Sequence, residues 1–498
     1  MEAFSSRFLR PVVVAIVIGS ILLSCFKIIS YGYLPVDDAL RHAAKVVSGK
    51  DWHEIVVMRP GITTDRHEGW HAFLTAVYHV TGCSKEGLVV FSILFLGLLF
   101  LLSPVPWLSR PEIWPIIIAF AVVLAPVTMG RTLYGRPYIF PMAVLLTLCF
   151  IWPRLESPRL PVGTLSLVVL LLAVSTLVHG LPHLYLLPVL AFFMTRRWVV
   201  AARFAGATAL GVALGATLTG HPIRFLWEGW LHSSRAFTDI PLQSMLVFEF
   251  QAFPGETVLL LAILLALIWR RVRGEWDSQQ LLQDPVFMLM CLGWVLGFAA
   301  RRFWMDWGFV AALAWLAKEL DTVANRRLPS LSHQRLVIAF AGSLFLCLSL
   351  TNDLGGRWTS NLTKHYLSLQ DPSEREWLPE PGGIVYSDTN AVFFDTFYAN
   401  PGAPWRYLLA FEPTLMPDED LKIWYRIQWN RGAYPAFAPW VNKMKPADRL
   451  IIERASLPSI PRLEWANPAL NIWVGRLPRI NRTAAGAGQG RAREPARP

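Results

Sequence analysis

The first polar stretch of the chain opens with two adjacent carboxylates. In YGYLPVDDALRHAAKVVSGKDW, Pro35 and Asp37 mark the start of a helix, with Asp37 and Asp38 in its first turn. Arg41 and His42 follow four residues after each, which sets an acid and a base on two adjacent helix stripes. One reading is an N-capping pair with surface ion pairs. The other is a pair of carboxylates placed for acid–base work, because a long apolar stretch ends only a few residues before them. A second charged cluster, Asp65, Arg66, His67 and Glu68, precedes an amphipathic helix in MRPGITTDRHEGWHAFLTAVYHV, where His67, Trp70 and His71 recur at helical spacing. It fits either a capped interfacial helix with its polar face in water or the edge of a ligand site. His67, Glu68 and His71 also satisfy the HExxH spacing. The match is short and no third ligand follows, which weighs against zinc hydrolysis.

Cations stand at comparable positions further along. Arg131 and Arg136 lie in MGRTLYGRPY, Arg301 and Arg302 in AARRFW, and Arg224 and Arg235 flank FLWEGWLHSS. An Arg at the centre of a spanning helix costs roughly 2.5–3.5 kcal/mol, so arginines at an apolar boundary need partners. Carboxylates serve, and so does phosphate, whose oxygens match the guanidinium fork. The competing reading is snorkelling to lipid headgroups. His179 and His183 in VHGLPH, and His221 beside Arg224 in GHPIRFLW, add polar groups at the same depth. With the acid pair they outline a polar cavity at the outer leaflet.

The elements that would position these residues are membrane helices. Of 498 residues 54% are hydrophobic and only 16% charged, with mean hydropathy +0.40. That is too little charge to cover a soluble protein of this length. The apolar residues come in blocks long enough to approach the roughly 20 a spanning helix needs. Spans are expected near 11–30, 88–105, 113–129, 138–152, 162–178, 181–195, 199–219, 256–270, 285–300, 303–317 and 336–351. The pair 162–178 and 181–195, interrupted by Pro182 and Pro188, fits a re-entrant hairpin as well as two spans. Basic short loops at Arg110, Arg154 and Arg159, Arg196 and Arg197, Arg270 and Arg271, and Lys318 to Arg335 set an N-in, C-out orientation. The same loops account for the net charge of +11 without nucleic acid. Ten of the eleven histidines then fall outside, His333 being the exception. The apolar core after MEAFSSRFLR is long and carries no A-x-A site, so it reads as a retained first helix. The five cysteines form no CxxC or metal-like cluster.

The expected fold class is therefore an all-α polytopic membrane bundle of about eleven helices with a small α/β extracytoplasmic C-terminal domain. The bundle covers 1–352 and includes a first outer loop, 31–87. The C-terminal domain covers 353–481, with strands at GGIVYSD and LNIWVGRL. An Ala/Gly/Arg/Pro-rich tail, 482–498, is expected to be disordered. The many Trp and Tyr of the C-terminal domain suit either a core or a glycan-binding surface.

This pattern resembles the GT-C superfamily of membrane glycosyltransferases, among them the protein O-mannosyltransferases and lipid A aminoarabinose transferases. In those enzymes an acidic pair just after the first span opens the first outer loop, where this chain has Asp37-Asp38. A second segment led by His and aromatic residues precedes the second span, where this chain has HEGWHAFLTAVYHVTG. Many members carry Asp-Glu in place of Asp-Asp, and a proline where Glu68 stands here. The resemblance implies a sugar donor linked to a polyprenyl phosphate, a glycan, lipid or protein acceptor, and inversion at the anomeric carbon. It also implies a bacterial inner membrane location with the site facing the periplasm. Asp37 would act as base with Asp38 as its partner. Arg131, Arg136, Arg301 and Arg302, with Arg224 and Arg41, would meet the lipid phosphate. His42, Asp65, Arg66, His67, His179 and His183 would position phosphate or acceptor. A divalent cation, Mg²⁺ or Mn²⁺, on Asp37 and Asp38 suits the ligand chemistry. A transporter or flippase of lipid-linked sugars is the competing class, since it would need the phosphate site but not the acid pair.

Overall fold

The computed structural model describes residues 6–63, 65–159, 161–238, 245, 248–252, 256–274, 278–327 and 332–478. The expected disordered tail, 482–498, and the Arg235 side chain lie outside that description. The chain divides into two compact units. The larger is Met1–Trp52 with Pro60–Lys364, and the smaller is His53–Arg59 with His365–Pro498.

The larger unit is helical. Among the described residues, Phe8–Ser30, Lys85–Trp107, Ile139–Glu156, Trp198–Thr217 and His333–Leu350 are long and apolar enough to cross a membrane. A sixth is added if the bent pair Pro111–Leu124 and Pro126–Leu133 counts as one span. Of the other expected spans, 162–178, 181–195 and 285–300 hold shorter apolar helices, Val162–Val178, Pro182–Met194 and Pro285–Gly297.

Expected as one continuous span, 113–129 instead turns by 118° at Ala125. Pro126 cannot donate to the preceding turn, and the residue before a proline is pushed out of the α region. Ala125 accordingly has φ −138° and ψ 56°. The turn carries Arg131 on a short second arm. Helix Val162–Val178 packs along Trp198–Thr217 where the latter presents Gly211 and Gly215. A Cβ on Gly215 would come within 2.3 Å of the Ala173 carbonyl oxygen, so no larger residue permits this approach. Gly293 and Gly308 do the same between Pro285–Gly297 and the stretch that follows Arg301.

The smaller unit carries a five-stranded sheet: β1 (Ile384–Tyr386), β2 (Arg406–Tyr407), β3 (Arg449–Glu453), β4 (Glu464–Ala469) and β5 (Ile472–Arg476), in the order β2-β1-β3-β5-β4. Strands β2, β1 and β3 are parallel, and β5 and β4 add as an antiparallel pair. Phe393, Tyr407, Trp440 and Ile451 fill the core. Most of the aromatic residues of this unit are therefore interior. Residues 53–59, expected as part of the first outer loop, join this unit. Val56 bridges Tyr407 in parallel, and the Arg59 amide donates to the Leu415 carbonyl at 2.9 Å.

Candidate functional site

Asp37 lies at the N-cap of helix Asp38–Ser48, yet its side chain makes no capping bond. It turns instead to Arg136, ninety-nine residues on. Arg136 Nε donates to Asp37 Oδ1 at 2.9 Å, and Arg136 Nη2 closes the fork on Oδ2. The third nitrogen, Nη1, donates to Glu249 at 2.6 Å. Glu249 also meets Arg131 Nη2 at 3.5 Å, and Arg131 Nη1 donates to Asp306 at 3.1 Å. Asp306 accepts from Arg302 Nε at 2.8 Å, and Arg302 Nη2 reaches His179 Nε2 at 3.4 Å. Asp38 is held separately by Arg41 at 2.6 Å, three residues on rather than four. Three arginines and three carboxylates thus alternate in one largely buried chain, with the Arg41–Asp38 pair beside it.

Local structure explains the aim of several members. Trp304–Gly308 is a π-helical turn, a widening that re-aims side chains and recurs at functional sites. It sets Asp306 and Arg302 against each other and toward Arg131. The Tyr138 ring lies under the guanidinium of Arg131 at 4.5 Å, with Arg136 at 5.8 Å and Arg302 at 6.0 Å. A ring face favours such cations.

Burial is the largest influence on Asp37 and raises its pKa above the ordinary carboxylate value, even against the pull of Arg136; Asp38 and Glu249 push the same way as burial. Burial also works against Glu249 as an anion, but Arg136 and Arg131 outweigh it and bring the carboxyl down to about 2. Burial likewise opposes the charge on Arg136, and Asp37 and Glu249 overcome it and hold that pKa well above the usual value.

A second group gathers around the histidines. Asp65 holds His71 at Nδ1, and His71 Nε2 lies 2.7 Å from His42 Nδ1. An ionised Asp65 accepts only, so His71 donates to it from Nδ1, and a neutral His71 then offers a lone pair at Nε2. His42 must then donate from Nδ1, which leaves its Nε2 as an acceptor. That atom is buried and has no partner among the described residues. The His67 ring stands edge-on to His42 at 5.0 Å and to His179 at 5.2 Å. Burial, with Arg41 adding to it for His42, holds both His42 and His67 well below the ordinary histidine pKa. For Asp65 burial acts upward, but His71 and the His67 amide bring it down to about 2.

The structure therefore brings together Asp37, Asp38, Arg41, Arg131, Arg136, Arg302 and His179, and beside them His42, Asp65 and His67. Other expected residues have further surroundings, with Arg301 within electrostatic reach of Glu249 and Arg131, and His183 of Arg302. His183 packs edge-on against Trp230. Arg224 is exposed and donates to Thr63 at 3.2 Å. Arg66 supplies its backbone carbonyl to Gly180. The Arg301 amide donates to the Gln251 carbonyl. Glu68 of the HExxH match pairs with His221 at 2.8 Å rather than facing His67 and His71. Among the described residues, neither that triplet nor Asp37 with Asp38 belongs to a set of three donors close enough to share an ion. Both aspartates are already neutralised by guanidinium, so the donor set does not fit a divalent cation.

Four participants were not expected from the sequence: Glu249, Asp306, Tyr138 and the bridging role of His71. Asp306 had a local signal, since it stands four residues after Arg302. Glu249, between two phenylalanines, had none.

No protein-family model matches the chain, and no curated protein matches it by sequence. Among solved structures, the archaeal oligosaccharyltransferase AglB from Archaeoglobus fulgidus, in complex with an inhibitory peptide and a dolichol-phosphate, aligns over 87% of this chain and 69% of its own, with TM-score 0.52 and 10% identity. ArnT from Cupriavidus metallidurans aligns in its apo state over 89% of this chain and 94% of its own, with TM-score 0.47 and 15% identity. ArnT bound to undecaprenyl phosphate aligns over 93% and 97%, with TM-score 0.47 and 14% identity. These neighbours are GT-C superfamily members, and the likeness to AglB is one of fold.

Proposed function

We propose that this protein is an integral membrane glycosyltransferase that moves a sugar from a polyprenyl-phosphate-linked donor to an extracytoplasmic acceptor by an inverting displacement. The observation that carries this reading is the forked ion pair between Asp37 and Arg136, continued through Glu249, Arg131, Asp306 and Arg302. Residues scattered from 37 to 306 converge there within a GT-C fold. The neighbour AglB holds a dolichol-phosphate, a polyprenol phosphate of the kind this reading needs.

In this mechanism Asp37 is the base. Its two oxygens each keep lone pairs beyond those given to Arg136, and its raised pKa suits it to take a proton from an acceptor hydroxyl or amine. The acceptor atom attacks the anomeric carbon as the bond to the phosphate oxygen breaks with its electron pair. Asp38, fixed by Arg41, keeps a second acceptor beside Asp37. The arginine chain holds these groups in place before substrate arrives, which lowers the reorganisation the reaction requires. The reading includes an N-in, C-out topology with the site at the periplasmic face, a first outer loop 31–87 that carries the acids, and an extracytoplasmic domain from about 353.

The test uses the full chain in detergent, synthetic undecaprenyl-phosphate-linked sugars and an envelope extract as acceptor. Release of undecaprenyl phosphate is measured. Asp37→Asn should slow release roughly 10²- to 10⁴-fold, the range for loss of a general base, while binding of undecaprenyl phosphate persists. No release by the wild type from any donor, or equal release by Asp37→Asn, would overturn the assignment.

A further inference from the structure

The alternating chain raises a question of charge. Arg41, Arg131, Arg136 and Arg302 each already face a carboxylate, so none brings uncompensated positive charge to an incoming phosphate. Arg357 differs. It lies seven residues past the last apolar helix, which ends at Leu350. No carboxylate pairs with it among the described residues. Its Nη2 is buried without a hydrogen-bond partner, although the residue as a whole stays partly open to solvent. Burial lowers its pKa, and the groups that act the other way are the Tyr134 and Tyr33 phenols, the same pair that flanks Asp37 and Arg136. A guanidinium stays protonated under such conditions, so the position holds a desolvated cation lacking its anion.

The surrounding segment is built to hold it there. Gly355 and Gly356 both adopt left-handed backbone, at φ 73° and 72°, and reverse the chain after the helix. Asp353 fastens the turn by accepting from the Trp358 amide and the Thr359 hydroxyl, each at 2.5 Å. The Trp358 indole is buried, donates to the Leu350 carbonyl at 3.1 Å, and packs edge-on against Tyr33 at 5.0 Å. The Arg357 guanidinium stacks over Trp358 at 4.4 Å. On the other side stands Gly130, at the end of the arm that carries Arg131. A Cβ there would lie 3.1 Å from Arg357 Nη2.

We propose that Arg357, flanked by Tyr33 and Tyr134, binds the phosphate of the polyprenyl carrier and meets the charge that develops on it as the sugar departs. The proposal rests on the transferase reading. When the anomeric carbon–oxygen bond breaks, its electron pair goes to the phosphate, and Arg357 supplies a guanidinium that, unlike Arg41, Arg131, Arg136 and Arg302, pairs with no carboxylate among the described residues.

The experiment measures binding to the purified full chain by native mass spectrometry, with undecaprenyl phosphate, phosphatidylglycerol and inorganic phosphate as separate probes. The wild type should retain undecaprenyl phosphate in preference to the other two. Arg357→Gln should weaken it roughly tenfold to a hundredfold, the range for a hydrogen bond to a charged group. Arg357→Lys keeps the charge but not the fork and should fall between. Gly130→Ala leaves every charge in place, crowds Nη2, and should weaken binding a few-fold. If Arg357→Gln fails to fold, the Lys and Gly130→Ala variants carry the test. Unchanged binding across these variants overturns the proposal and leaves the transferase reading standing. Equal retention of phosphatidylglycerol or inorganic phosphate overturns the assignment to the carrier. A wild type that retains no undecaprenyl phosphate sinks the transferase reading itself.

Discussion

Two buried polar regions sit side by side in the helical unit and solve the same problem in opposite ways. The chain from Asp37 to Arg302 keeps its charges and pairs each with an opposite one. The group of His42, His67 and His71 shares a single carboxylate, Asp65, and His42 and His67 shed charge by staying deprotonated. Burial penalises an isolated charge in either place. An arginine cannot escape by losing its proton, whereas a histidine can. The arginine chain is therefore fixed scaffolding whose integrity depends on every member. The imidazole group is a titratable element whose state follows pH.

The sharpest way to break this contrast is to remove a central member of the first region. Arg131 lies between Glu249 and Asp306, and Arg131→Met leaves both carboxylates short of a cation. Loss of one partner of a buried pair costs about 3–5 kcal/mol, so a large fall in thermal midpoint is expected. A variant that melts like the wild type would mean the chain is not energetically continuous.

The second region should respond to pH through its imidazoles. His42 and His67 have folded pKa values below the unfolded value near 6.5. Below that pH the unfolded chain binds protons that the folded chain refuses, so their stabilising contribution is complete above about 6.5 and declines as pH falls. Each such proton gives a slope of about 1.4 kcal/mol per pH unit. Both together give a decline of up to roughly 2.7 kcal/mol per unit between about pH 6 and 5. His42→Asn should halve that slope, read from the pH dependence of the melting temperature. A flat profile in the wild type would erase the distinction between the two regions.

How much of this could be read from the sequence depends on the range of each contact. The acid pair after the first span, the His-led second segment and the helical bundle followed by a small sheet were all visible, because each leaves a local pattern. Strands at Ile384–Tyr386 and Ile472–Arg476 were also legible as short apolar runs. What local spacing suggested for Asp37 was a bond to Arg41, and the actual partner, Arg136, lies a hundred residues away on the far side of a proline-broken helix. Helical spacing offered Asp38 to His42, but the partner found is His71, whose Nε2 lies 2.7 Å from His42 Nδ1. The excursion of residues 53–59 into the sheet unit depends on a bridge to Tyr407, a pairing no local signal records.

Asp65 tests the anion on which the imidazole group depends. Its pKa of about 2 lies below the ordinary value of 3.8, held there by His71 and the His67 amide against burial. A depressed carboxyl pKa stabilises the fold at pH above the unfolded value, and the contribution disappears as pH falls through about 2. Asp65→Asn should cost about 2 kcal/mol at neutral pH, and the gap between variant and wild type should shrink below pH 4. A gap that persists unchanged at pH 3 would mean that Asp65 acts by shape and not by charge.

The smallest effect is expected within the arginine chain, at a position that separates its electrostatics from its hydrogen bonding. Tyr138 presents its ring to Arg131, Arg136 and Arg302, yet its hydroxyl is buried without a partner among the described residues. The ring is what the guanidiniums use, through its negative face. The hydroxyl only adds a desolvated dipole. Removing an unsatisfied buried group is close to neutral or mildly stabilising, unlike removing one half of a bonded pair. Tyr138→Phe should therefore shift unfolding by no more than about 0.5 kcal/mol. Tyr138→Leu, which discards the ring as well, should cost on the order of 2 kcal/mol from the cation–π contacts alone. Thermal unfolding of the two variants side by side decides the matter. If the Phe variant falls as far as the Leu variant, the hydroxyl has a partner in the folded protein, and the arginines are held by a bond through that oxygen and not by the ring face.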